Sequence, residues 1–203
     1  SSDLSTQKPH FAADGVAHLL GVPREKVRAI WMFGSGSYGR NDQGDATADA
    51  AVLSKHLGKP VRVQWMREDE FTWEPYGPTM VVKLKASLGA DGNVVDWMED
   101  VWSNAHSTRP GAQKGVNLIA AWHLAQPQAP SPPRNPPLPG GGSHRNAIPI
   151  YEFPNQRVTN HLIKRMPVRV SALRALGGTA NVFAIESFMD ELAAAAGADP
   201  VEF

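Results

Sequence analysis

"TMVVKLKASLGADGNVVDWMEDVWSNA", residues 79–105, holds two runs of alternating apolar and polar residues on either side of Asp91-Gly92. Asp-Gly between such runs is a strong hairpin signal, because the tight turn needs backbone conformations that these two residues tolerate. An antiparallel hairpin in mid-chain argues against a doubly wound parallel sheet, where a crossover follows each strand. The fold class is therefore mixed, α+β.

Working outward toward the N-terminus, "PVRVQWM" (60–66) alternates and reads as a strand, after which "REDEF" opens a short turn. "DATADAAVLSKHLG" (45–58) reads as a helix, with Asp45 as a plausible N-cap, Ala50, Leu53 and Leu57 on one face, and Gly58 as its close. "KVRAIWMF" (26–33) is β-rich. Pro9 to Leu20 has Phe11, Val16, Leu19 and Leu20 at roughly helical spacing and stops at Gly21.

Toward the C-terminus the pattern collapses over 106–149, where "AQPQAPSPPRNPPLPGGGSHRN" is too rich in Pro and Gly for regular structure. A long loop is expected, either mobile or packed against something outside this chain. Strand character returns over 151–165. A long helix follows at roughly 179–196, with apolar faces from Phe183, Ile185, Phe188, Met189 and Leu192 and Gly197 as its C-cap. The six Trp, at 31, 65, 73, 97, 102 and 122, are expected in the core or at interfaces.

The 203 residues suffice for one sizeable domain or two small ones. Lys+Arg and Asp+Glu balance at 20 each, which argues against a nucleic-acid or membrane surface as the main partner. No apolar run approaches the ~20 residues of a spanning helix. No secretory or transit segment is visible, although "SSDLSTQKPH" does not look like a natural start, so nothing follows about export. With no cysteine, this chain offers no disulfide, iron–sulfur cluster or thiolate metal site. The seven His are scattered without ligand spacing. A metal must be held by His or carboxylates, or arrive inside an organic cofactor.

"GSGSYG" (34–39) matches G-x-G-x-x-G letter for letter. In a nucleotide-binding βαβ unit the helix begins inside the glycine turn, so that its N-terminus meets the pyrophosphate. Here "RNDQGD" separates Gly39 from the expected helix. The acidic residue expected ~20 positions on has its nearest candidate in Glu68, 29 residues past Gly39. With the hairpin downstream, these spacings disfavour a nicotinamide or flavin dinucleotide. They leave either a bare turn or another anionic ligand.

Several ordered segments together resemble the molybdenum-binding large subunit of the xanthine dehydrogenase/aldehyde oxidase family, in its isoquinoline 1-oxidoreductase-like bacterial branch. "STQKP" (5–9) is similar to the family's S-T-Q segment, and "LLGVPREKVRAIW" (19–31) to the helix end and strand that follow. "GSGSYGRND" (34–42) stands where the family has G-G-G-F-G-G/R-K/R. "GKPVRVQWMREDEF" (58–71) is similar to its G-R-P-V…R-E-E-D run. "ALRALGGTANVFAIESFMDELAAAAGADPVEF" (172–203) resembles its A-F-R-G-F-G-G-P-Q segment and long helix. The 31 residues from Gln7 to Tyr38 agree with the family spacing.

The resemblance implies a molybdenum-cofactor-binding domain, a mixed sheet with packed helices and a long Pro-rich loop, of which residues 1–203 are a part. It implies a molybdenum hydroxylase acting on an N-heterocyclic aromatic or an aldehyde, with water as oxygen source. The cofactor implied is molybdopterin, in bacteria the cytosine dinucleotide form, whose dithiolene rather than protein side chains holds the metal. Gln7 would hydrogen-bond the metal's oxo ligand. Gly36, Ser37, Tyr38 and Gly39 would approach the metal end and phosphate, where a Cβ would block the way. Arg174 would lie near the pterin, its donor fork permanently charged. Asp42 and Leu176 would stand in the substrate pocket.

Ser37, Tyr38, Asp42 and Leu176 depart from the family's Gly, Phe, Glu and Phe, so purine specificity does not carry over. The family's catalytic Glu belongs to a later segment, beyond Phe203, so no catalytic base is expected here. Implied partners are the remainder of the large subunit, a [2Fe-2S] small subunit, and a cytochrome or flavin acceptor. The compartment stays open, with a lean to the periplasm from exported relatives of that branch. Two alternatives remain: a scaffold of the same fold that has lost its cofactor, and a nicotinamide-dependent dehydrogenase.

Overall fold

A computed structural model describes residues 2–4, 6–34, 44–106, 122, 125–127, 132–138 and 140–203. The chain forms two compact units. The first comprises Ser1–Pro75 with Thr108–Pro132, the second Tyr76–Ser107 with Pro133–Phe203.

In the first unit, β1 (Ser2–Leu4) pairs in parallel with β2 (Ala29–Trp31), and α1 (Pro9–Leu20) provides the crossover. Pro9 opens α1 where a missing N–H costs nothing, and Gly21 closes it at φ 63°. The 45–58 helix is α2 (Asp45–Leu57), with its C-cap Gly58 also left-handed. Its N-cap is Gly44, not Asp45. Gly44 takes φ 78°, open to glycine, and so turns the chain one residue earlier, leaving Asp45 as the first helical residue. Lys55 Nζ donates to Leu20 O at 2.7 Å, tying α2 to the end of α1.

The expected strand at 60–66 is corrected. Burial alternates there, with Val61, Val63 and Trp65 half-buried and their neighbours exposed, but no ladder forms among the described residues. Alternation reports a half-buried extended segment, and a strand also needs a partner edge. The short turn expected at "REDEF" is a short helix, α3 (Arg67–Trp73), with Glu68, Asp69 and Glu70 in its first turn. Met66 N–H donates to Asp69 Oδ2 at 2.9 Å at its start.

The second unit is built on the hairpin. β3 (Met80–Leu88) and β4 (Val94–Asn104) pair antiparallel, and β5 (Asn155–Ile163) joins β4 in parallel, giving the order β3-β4-β5. Gly92 takes φ 82° in the turn, and Asp91 accepts the Asn93 N–H at 3.1 Å. Asparagines clamp both ends of the parallel pair. Asn155 Nδ2 donates to Val95 O at 3.1 Å, while Asn104 Nδ2 donates to Ile163 O and Arg165 O, each at 3.0 Å.

α4 (Gly178–Ala196) covers one sheet face, with Val94, Trp97, Ile185 and Leu192 forming the core. Trp97 stacks on Phe153 at 4.9 Å and meets Phe188 at 5.5 Å. Burying an aliphatic chain such as Ile185 contributes roughly 2 kcal/mol. Of the Trp residues, Trp97 is the core member, whereas Trp31 and Trp73 are about half exposed.

The Pro/Gly-rich stretch lacks regular structure where it is described, as expected, but its contacts come from within the chain. The described residues of 133–150 have no helix or strand and are held by side chains of their own unit. Asn135 Nδ2 donates to Ser143 Oγ at 2.8 Å and to Asn160 Oδ1 at 2.6 Å, and Asn160 Nδ2 donates to Ser143 Oγ at 2.8 Å. Backbone polar groups that regular structure does not satisfy are met here by amide side chains. Among the described residues no helix is long and apolar enough to cross a membrane.

Candidate functional site

The segment Arg169–Gly178 leads into α4, and backbone hydrogen bonds place it. Tyr76 N–H donates to Arg169 O and Ser171 N–H to Tyr76 O, both at 2.9 Å, and Ala172 N–H donates to His106 O at 3.0 Å. Leu173 packs over Gly77, where an added Cβ would come within 2.8 Å of its Cδ1. The chain then turns sharply. Leu176 N–H donates to Leu173 O at 3.0 Å and Gly178 N–H to Ala175 O at 2.9 Å. Ala175 and Leu176 take φ 67° and 56°, two consecutive non-glycine residues in the left-handed region. Each costs on the order of 1 kcal/mol and persists only where the surroundings enforce it, a pattern concentrated at functional sites.

This turn leaves Arg174 exposed and Leu176 half-buried, immediately before α4. The N-cap of α4 is Gly177, which offers no capping side chain, and no acidic residue stands in the first turn. The positive end of this 19-residue helix thus has no acidic side chain of its own, and the exposed Arg174 precedes it by four residues in the chain. That donor set fits an anionic, phosphate-bearing cofactor.

The other expected site residues belong to the first unit, and most of them lie outside the described residues. Gln7 is exposed between β1 and α1 in the first unit, with Lys8 N–H donating to Thr6 Oγ1 at 3.2 Å beside it. Arg174 and Leu176 belong to the second unit. Gly36, Ser37, Tyr38, Gly39 and Asp42 lie outside the described residues. Among the described residues no three His, Asp or Glu gather as a metal-binding cluster.

Two further residues, Asn181 and Glu99, stand out only in the folded chain. Asn181, fully buried on α4, donates through Nδ2 to Ser143 O at 3.0 Å and to Arg145 O at 2.8 Å. Its position three residues past the Gly177-Gly178 pair carries no distinctive pattern. Glu99 is 1% exposed on the inner face of β4, and neither carboxylate oxygen has a hydrogen-bond partner. Burial pushes its carboxyl up to about 7, and the nearby Trp97 indole only partly offsets that. The indole falls short of hydrogen-bond geometry. Glu99 is in phase with Trp97 and Val101, so the alternation that predicts the hairpin also marks it as inward-facing.

The sequence profile of the molybdopterin cofactor-binding domain family matches residues 3–128 and 128–203. The chain belongs to this family.

The ordered motifs thus identify the right family, and the α+β cofactor-binding fold expected from them is the one found. The chain is 37% identical over 200 residues to a nicotinate dehydrogenase component of Pseudomonas putida, covering 98% of this chain and 15% of that protein. It is 26% identical to the beta chain of isoquinoline 1-oxidoreductase of Brevundimonas diminuta, covering 98% and 23%. The fold of quinoline 2-oxidoreductase from Pseudomonas putida 86 superposes with a TM-score of 0.68 at 20% identity, over 98% of this chain and 23% of that one. The chain therefore spans less than a quarter of the length of these relatives. The family match also displaces the nicotinamide alternative.

Proposed function

We propose that residues 1–203 are part of the cofactor domain in the large subunit of a molybdenum hydroxylase that oxidises an N-heterocyclic aromatic compound. The family match over nearly the whole chain carries this reading. The names of the relatives support the substrate class, since nicotinate, isoquinoline and quinoline are all nitrogen heteroaromatics. An aldehyde is the second candidate, since a membrane-bound aldehyde dehydrogenase of Gluconacetobacter polyoxogenes is 23% identical.

When bound, the molybdenum pyranopterin supplies two-electron oxidation of a carbon with water as the oxygen source. This chain's part is binding and orientation. Arg174 and the N-terminus of α4 hold the anionic portion of the cofactor, in its cytosine dinucleotide form, with a charge that no accessible pH removes. Gln7 donates its amide toward the metal end, and the Gly36–Gly39 backbone admits close approach. Asp42 and Leu176 shape the substrate side, where Leu176 gives an apolar wall without an aromatic face. The proton-accepting Glu belongs to another part of the large subunit. In this reading electrons leave through a [2Fe-2S] subunit toward a cytochrome or flavin, as the family resemblance implies; residues 1–203 themselves have no cysteine to ligate a cluster.

Molybdenum and pterin content per large subunit in the natively purified complex tests this reading. About one of each is expected, falling markedly in Arg174→Ala. A complex from a molybdenum-replete host that carries neither would overturn it in favour of the scaffold alternative.

A further inference from the structure

The left-handed turn at Ala175-Leu176 requires something to hold it, and the surrounding geometry identifies the holder. The Ser143 and Arg145 carbonyls that accept from Asn181 Nδ2 are the same two oxygens packed against Gly177. A Cβ on Gly177 would lie 2.9 Å from Arg145 O and 3.0 Å from Ser143 O, closer than real Cβ contacts allow. The loop is thus drawn onto the helix start from one side by an amide and admitted on the other by a missing side chain. Ser143 Oγ is in turn held by Asn135 and Asn160, the latter on β5. All three asparagines act as rigid donors from the second unit, and Asn181 is completely buried.

We infer that Asn181 is a positioning residue. Through the Ser143–Arg145 loop it locks the Arg174–Gly178 turn in its left-handed form, so that the exposed Arg174 is carried on a fixed backbone. This rests on the proposed cofactor-binding role of Arg174. It goes beyond that role by assigning the preorganisation to an amide that touches neither cofactor nor substrate. Without the tie, Ala175 and Leu176 relax to negative φ and the backbone that carries Arg174 shifts. Outer-shell partners of this kind typically change metal-site affinity by about tenfold or more.

The test uses the intact complex with Asn181→Ala, and with Ser143→Ala as a milder variant that leaves Asn181 in place. Two readouts other than turnover are followed: molybdenum retained after gel filtration, and the line shape of the molybdenum(V) electron paramagnetic resonance signal on partial reduction. Leu192→Ala, in the core at the far end of α4, controls for lost stability. Asn181→Ala is expected to retain roughly tenfold less molybdenum and Ser143→Ala to lose less, both altering the signal as Arg174→Ala does, while Leu192→Ala keeps the wild-type line shape. Folded Asn181→Ala and Ser143→Ala complexes with wild-type content and signal, beside a perturbed Arg174→Ala, would overturn the inference. A Leu192→Ala signal altered in the same way would also overturn it, by reducing the effect to general destabilisation. A wild-type complex without molybdenum would instead overturn the functional reading itself.

Discussion

At the scale of single residues, Glu99 gives the clearest physical consequence. Burial pushes its carboxyl up to about 7 from an ordinary 4.5, because it penalises the charged form and no cation among the described residues answers it. The residues paired with it across the sheet are Leu84 and Val158, and neither is charged. A raised carboxyl favours the folded state where it is protonated. Its contribution is complete below about pH 4.5 and is lost as pH rises through 7. Glu99→Gln keeps the shape and removes the titration. Denaturant unfolding of the variant is expected to show no such pH dependence between 5 and 8. Above pH 7 the variant should exceed wild type by on the order of 3 kcal/mol. Equal slopes in the two proteins would show that Glu99 finds a partner when ionised.

At the scale of elements, α4 ends at Gly197 with φ 70°, and a Cβ there would meet nothing within 4 Å. Its requirement for glycine is conformational, not steric. Gly197→Ala should therefore lower the unfolding free energy by about 1 kcal/mol, while Ala198→Gly, just beyond the cap, should cost far less. The same kind of signal made α1, α2, α4 and the β3-β4 hairpin legible in sequence: periodicity bounded by a glycine that must turn the chain. β1 has three residues and too little pattern to notice, and 60–66 has a strand's pattern without a strand's partner. The Asn135–Ser143–Asn160 tie and Asn181 were invisible for a different reason. Each is a lone polar residue whose meaning depends on which distant carbonyl or hydroxyl folding brings to it. Of the candidate site, Arg174 and Leu176 were found through the family's motif, whereas the strained backbone that displays them left no local signature, since Ala and Leu disfavour positive φ.

At the scale of the molecule, formal charge is zero and the isoelectric point is near 7.1. Phe33, Phe183, Ile150 and Val201 are each at least 74% exposed. Without net repulsion, such surfaces associate. Light scattering from the polypeptide 1–203 should therefore peak near pH 7 and fall at pH 5 and at pH 9. A flat profile would mean that these side chains are sheltered in solution. The parallel β4-β5 pair carries a different consequence, in the order of synthesis. β4 ends at Asn104 and its neighbour begins at Asn155, while Thr108–Pro132, made between them, belongs to the first unit. The hairpin emerges from the ribosome before the first unit can be completed, and it waits for β5 to pair its edge and for α4 to cover its inner face. During that interval Glu99 is in water and ionised at neutral pH. A charge then interrupts the Trp97–Val101 stripe at the stage when a newborn chain is most prone to stick to its neighbours. The acid that weakens the finished core above pH 7 protects the unfinished one.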